Sequence, residues 1–67
     1  MYPSRVSKEA REITTLGKFL LNLGPEYLYA FQRMVLCVTV NGKIVSSVET
    51  PLKLGDEVTT YPIVAGG

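Results

Sequence analysis

Sixty-seven residues make one small domain, and a chain of this length buries only about 60% of its unfolded surface, which leaves no room for a catalytic cleft between subdomains. At 46% hydrophobic and 19% charged the composition is that of a folded domain, and a formal net charge of +1 with no run of like charge gives no electrostatic case for nucleic acid or an anionic membrane as partner. The single cysteine, Cys37, excludes an internal disulfide, and the absence of histidine removes the usual general base and the usual zinc ligand.

The chain opens Met1-Tyr2-Pro3-Ser4-Arg5-Val6-Ser7-Lys8-Glu9, which holds no apolar core of a signal peptide, so the expected location is cytoplasmic. Tyr2 to Val6 and Arg11 to Thr14 read as two short strands joined around Ser7 to Ala10. The alternative is a helix beginning near Lys8, since Ala10, Ile13, Gly17 and Leu20 keep helical spacing. The β-branched run Ile13-Thr14-Thr15 disfavours it, because branching at Cβ restricts χ1 in a helix. Leu16, Phe19, Leu20 and Leu23 recur at i, i+3, i+4 and i+7 and predict an amphipathic helix with its apolar stripe in the core. Thr14 or Thr15 supplies the N-cap, and Gly24-Pro25 ends the helix. Pro25 to Arg33, with Tyr27, Leu28, Tyr29 and Phe31, predicts a short helical turn or a loop wrapped against the sheet.

Met34 to Val40 is rich in β-branched residues and far too short to span a bilayer. Asn41-Gly42 and then Lys43-Ile44-Val45-Ser46 follow it. Asn-Gly between two such runs predicts a hairpin, because a type I′ turn needs positive φ at both central residues. Leu54-Gly55-Asp56-Glu57 suits a tight turn into a last strand, Val58 to Val64. Pro62 lacks an amide donor, so pairing should fail near the end of that strand. The order is ββ-α-ββ-β, an α+β unit with a mixed sheet packed on one main helix.

Directly after the last strand the chain ends Ala65-Gly66-Gly67. Residues without side chains let backbone thread a narrow channel, so Gly67 can present its α-carboxylate to chemistry in another protein's active site. A terminal Gly-Gly alone is weak, since chance supplies it in about one chain in 200. Strand alternation that buries Val58 and Thr60 turns Tyr61 and Ile63 outward, beside Val64 and the tail, as a surface for a partner. Cys37 reads as a small buried or half-buried strand residue.

Val40-Asn41-Gly42-Lys43-Ile44-Val45, Thr50-Pro51-Leu52-Lys53-Leu54-Gly55-Asp56-Glu57-Val58 and Tyr61-Pro62-Ile63-Val64-Ala65-Gly66-Gly67 together resemble the MoaD/ThiS family of sulfur carriers. The likeness is close from Val40 to Gly67, and the predicted helix sits where the family's helix should. It departs at the N-terminus, where only Tyr2 to Thr14 stand for both strands of the family's first hairpin: either that hairpin is abbreviated or the chain starts downstream of the family's first strand. The resemblance implies a β-grasp (ubiquitin-like) domain over residues 1–64 and a flexible reactive tail over 65–67. It implies a carrier and not an enzyme, with no bound cofactor or metal. A ubiquitin-activating-type adenylyltransferase similar to MoeB or ThiF would use ATP to adenylate Gly67, and a persulfide donor would convert it to a thiocarboxylate. The acceptor would be a MoaE-like large subunit of molybdopterin synthase or a thiazole synthase. The Pro62-x-Val64-x-Gly66-Gly67 ending favours the MoaD branch. Thiamin thiazole synthesis, tRNA thiolation and ubiquitin-like protein modification are the alternatives.

Overall fold

A computed structural model describes residues 5–63. The elements in chain order are β1 (Val6–Glu9), β2 (Thr14–Thr15), α1 (Leu16–Leu23), α2 (Pro25–Gln32), β3 (Leu36–Val40), β4 (Lys43–Val45), β5 (Pro51–Leu52) and β6 (Glu57–Pro62). Four strands form one sheet in the order β1-β6-β3-β4, and β2 and β5 form a separate two-stranded ladder. Both helices supply buried residues to the core that the sheet covers, the arrangement of a small β-grasp domain.

Helix α1 forms as its spacing predicts. Thr15 is the N-cap, with its Oγ1 accepting from the Lys18 amide at 3.4 Å, and Leu16 and Leu20 are fully buried. Phe19 and Leu23 pack at the margin of the core. The segment expected to be a short helical turn or a wrapped loop takes the helical option and extends it into a second helix of equal length, α2. Pro25 sits in its first turn, where a missing amide costs nothing, with Glu26 beside the positive end of the helix. Tyr27 and Ala30 are buried in the core with Leu36, Val38, Leu52 and Val58.

The β3–β4 hairpin closes through Asn41 (φ 52°) and Gly42 (φ 85°), both positive as a type I′ turn requires, and pairs Val40 with Lys43. Its turn is tied to the one before β6. Asn41 Nδ2 donates to Asp56 Oδ1 at 3.0 Å, and Asn41 Oδ1 accepts from the Glu57 amide at 2.9 Å. Asp56 Oδ2 in turn accepts from the Lys53 amide at 2.8 Å.

Two expectations are corrected. The described residues 5–13 do not form a hairpin, and Tyr2, Pro3 and Ser4 of the expected first strand lie outside the described residues. Residues 6–9 run antiparallel to β6, whereas Thr14–Thr15 leave the sheet and pair with Pro51–Leu52. The reason lies at Ala10, which is buried and clamped by two bonds to the β5–β6 turn: its amide donates to the Asp56 carbonyl, and its carbonyl accepts from the Gly55 amide. The chain therefore turns toward β5 instead of doubling back. Nor is the main sheet mixed among the described residues: the N-terminal segment gives it β1 there, and every pairing in it is antiparallel.

Candidate functional site: the exit of the last strand

The end of β6 is the base from which the C-terminal residues leave. β6 lies between β1 and β3 and is paired on both sides. Its even residues face the helices, with Val58 and Thr60 at 1% exposure, and its odd residues face the side without helices. Tyr61 and Ile63 are accordingly exposed, at 38% and 44%. Val64, Ala65, Gly66 and Gly67 lie outside the described residues.

Pairing does not fail at Pro62. That residue belongs to β6 opposite Leu36, and the Ile63 amide donates to the Val35 carbonyl at 2.9 Å. In an antiparallel ladder, successive residues point their amides to alternate sides. Ile63 and Tyr61 point toward β3, so the position of Pro62's absent donor faces the β1 side, beyond the last described pair, Val6 with Thr60. The proline thus sacrifices no bond to β3.

Around this exit the sheet offers an apolar surface that the sequence reading only half anticipated. A groove of about 600 Å³ is lined by Phe31, Met34, Cys37, Ile44, Val45 and Ile63 among others, with no charged residue in its lining. Met34 and Ile44 are 82% and 76% exposed. Ile44 was legible from alternation along β4, but Met34 was not. It sits after α2 with φ 64°, its amide donating to the Phe31 carbonyl at 3.1 Å and the next amide, of Val35, to the Ala30 carbonyl at 3.0 Å. These are the bonds of a Schellman cap, whose left-handed position glycine usually fills. Cys37 is a half-buried free thiol, opposite Tyr61 in the ladder. The Arg5 guanidinium lies over the Tyr61 ring, 5.1 Å from its centroid, on the other flank.

The described residues hold no group of three or more histidine, cysteine, aspartate or glutamate side chains able to bind a metal ion. Among the described residues, the perturbed titratable group, Asp56, is remote from the exit. The Lys53 amide and then the Asn41 side chain hold the Asp56 carboxyl below its ordinary value, which is the electrostatic signature of a structural turn. Among the described residues, the exit is surrounded by exposed apolar side chains.

A family model described as the ThiS family matches residues 3–67, nearly the whole chain and its terminal Gly66-Gly67. The chain belongs to the ThiS family. No curated protein and no solved structure matches it. Members of the ThiS family are small ubiquitin-like sulfur carriers, which fits a fold whose exposed apolar surface gathers where the C-terminal residues depart. None of the helices among the described residues is long and apolar enough to cross a membrane.

Proposed function

We propose that this ThiS-family protein carries sulfur on its C-terminal glycine and works in the MoaD manner, as the small subunit of a molybdopterin synthase in molybdenum or tungsten cofactor synthesis. The observation that carries the reading is the family match running to the end of the chain at Gly66-Gly67. The Pro62-x-Val64-x-Gly66-Gly67 ending favours the MoaD branch, and the same terminal chemistry would serve a thiazole synthase in the ThiS branch.

The chemistry places defined demands on this chain. A carboxylate is a poor electrophile until it gains a leaving group. The Gly67 carboxylate oxygen attacks the α-phosphorus of ATP in the active site of an adenylyltransferase, pyrophosphate departs, and an acyl-adenylate forms. The terminal sulfur of a donor persulfide displaces AMP to give an acyl disulfide. A second thiol then cleaves its S–S bond and releases the thiocarboxylate. Each step occurs in a partner that excludes water, so the terminus must be slim, as Ala65, Gly66 and Gly67 are. Four residues beyond Ile63 reach at most about 14 Å when fully extended. Any enzyme that handles Gly67 therefore approaches Tyr61 and Ile63, and an uncharged surface there suits apolar contact with it.

The test is intact-mass spectrometry of the protein after incubation with a competent adenylyltransferase, ATP and a persulfide donor. The expected result is exchange of one oxygen for sulfur at Gly67. A protein extended by one residue beyond Gly67 should fold and stay uncharged, and sulfur loading of that variant would overturn the mechanism. Transfer to a MoaE-like subunit, with none to a thiazole synthase, decides the branch.

A further inference from the structure

We propose that β1 is the seat of a two-fold association between two copies of this chain, joining their sheets edge to edge through Arg5 to Glu9. The inference is independent of the sulfur chemistry. Among the described residues β1 is an edge strand of the main sheet. The Val6 amide turns inward to Thr60 Oγ1 at 3.0 Å, and the Ala10 amide turns inward to the Asp56 carbonyl at 2.8 Å. By alternation the backbone groups of Arg5, Ser7 and Glu9 turn to the open edge. Such an edge is a template for another strand unless something blocks it.

The charge pattern of β1 selects both the occupant and the register. A second copy laid antiparallel with Ser7 opposite Ser7 puts Arg5 opposite Glu9, twice by symmetry, with Val6 opposite Lys8. It pairs only residues whose backbone groups face outward, for about six hydrogen bonds in the ladder. Of the other registers that use the same outward groups, those centred on Arg5, Lys8 or Glu9 set like charges directly opposite, which is destabilising, and the one centred on Val6 brings no opposite charges together, so only the Ser7 register gains the paired Arg5 and Glu9.

A second observation points the same way. Within one chain Glu9 lies directly opposite Glu57 on the helix-free face, with no cation of the described residues paired to either. Ser7 Oγ, 3.2 Å from Glu57 Oε2, is the recorded side-chain partner of this acidic pair. The two-fold register brings the other copy's Arg5 beside it. The result is one continuous sheet in which the two β6 strands run in opposite directions, so their C-terminal ends leave from opposite sides and both remain accessible.

Sedimentation equilibrium of the 67-residue chain up to millimolar concentration tests the proposal, with circular dichroism of each variant as the check on folding. The expected result is a reversible dimer that weakens as salt is added. Ser7→Pro deletes an outward amide and leaves the backbone bonds to β6 in place while removing the Ser7 Oγ bonds to Glu57 and Thr59, and it should weaken the dimer by about tenfold or more. Glu9→Arg should weaken it by about tenfold as well, and the exchange Arg5→Glu with Glu9→Arg should restore it to within about threefold. If Ser7→Pro fails to fold, the charge exchange decides alone. A chain that stays monomeric throughout, or a dimer indifferent to Ser7→Pro and Glu9→Arg, overturns the proposal.

Discussion

Met34→Gly is expected to stabilise the protein, whereas Met34→Ala is not. Met34 is held at φ 64° by the two capping bonds that follow α2. An L-residue with a Cβ is disfavoured in that conformation by about 1–2 kcal/mol, because Cβ crowds the following carbonyl. Glycine removes that cost but adds about 0.4–1 kcal/mol of backbone freedom to the unfolded chain. The side chain is 82% exposed, so truncating it forfeits no more than about 0.5 kcal/mol of burial. That last loss is common to both variants and cancels between them. Glycine should therefore exceed alanine by about 0.8 kcal/mol, or about 3–6 °C in midpoint for a domain of this size. Urea denaturation and thermal melts followed by circular dichroism measure the difference. Alanine equal to or more stable than glycine would refute the reasoning, because the left-handed cap would then carry no strain. The same two variants both remove the exposed thioether beside the C-terminal exit, so both should charge with sulfur more slowly than the parent despite their opposite effects on stability.

Three further outcomes are expected. Leu20→Ala, at a fully buried position of α1, should cost about 2–5 kcal/mol against a total of about 3–10 kcal/mol for a chain this short, lowering the urea midpoint by at least about a fifth. Ile63→Asp should change stability by no more than about 0.5 kcal/mol at an exposed site, yet slow thiocarboxylate formation about tenfold or more by placing a charge on the apolar surface proposed to meet the partner. Asp56 is depressed below its ordinary 3.8 by the Lys53 amide and the Asn41 side chain, so its contribution to stability is present above the unfolded value and lost as pH falls through the lower folded one. Melting temperature against pH should therefore drop less steeply below about pH 4 in Asp56→Asn than in the parent. An acid limb identical in the two proteins would show that the turn does not bind the carboxylate as its geometry indicates.

Where the sequence was readable, one local requirement dominated. Asn41-Gly42 announces its hairpin because almost no other pair tolerates two positive φ values, and Leu16, Phe19, Leu20 and Leu23 announce α1 because a core-facing stripe must repeat with the helix. Where it was not readable, a distant contact decided. Val6-Ser7-Lys8-Glu9 has one apolar residue, and nothing in it says whether its partner is the next strand or the last; the clamp between Ala10 and the β5–β6 turn settles that. The end of α2 was hidden for a different reason. The position that glycine would mark is filled by Met34, so the usual stop signal is missing. The apolar surface at the C-terminal exit was half legible: Tyr61 and Ile63 follow from alternation along one strand, but their neighbours Met34, Cys37 and Ile44 arrive from two other elements that the sheet brings alongside.

The placement of Pro62 shows how the fold and the carrier chemistry fit together. A carrier's terminus must start from a fixed point, since a partner that grips the domain has to find Gly67 at a set distance, and it must then be free of backbone bonds that would hold it to the sheet. β6 supplies the fixed point because it is paired on both flanks, and Ile63 extends that pairing to Val35. Pro62 acts on the other flank only. Its ring occupies the side on which β1 would continue the ladder, so pairing toward β1 loses a donor there while pairing toward β3 loses none. The strand is thus firm on the side that carries Cys37 and Val35 and weakened on the side of Arg5. A single residue can divide the two roles in this way only because antiparallel amides alternate. Moving the proline by one position, to Tyr61 or Ile63, would transfer the missing donor to β3 and loosen the base from which the C-terminal residues leave.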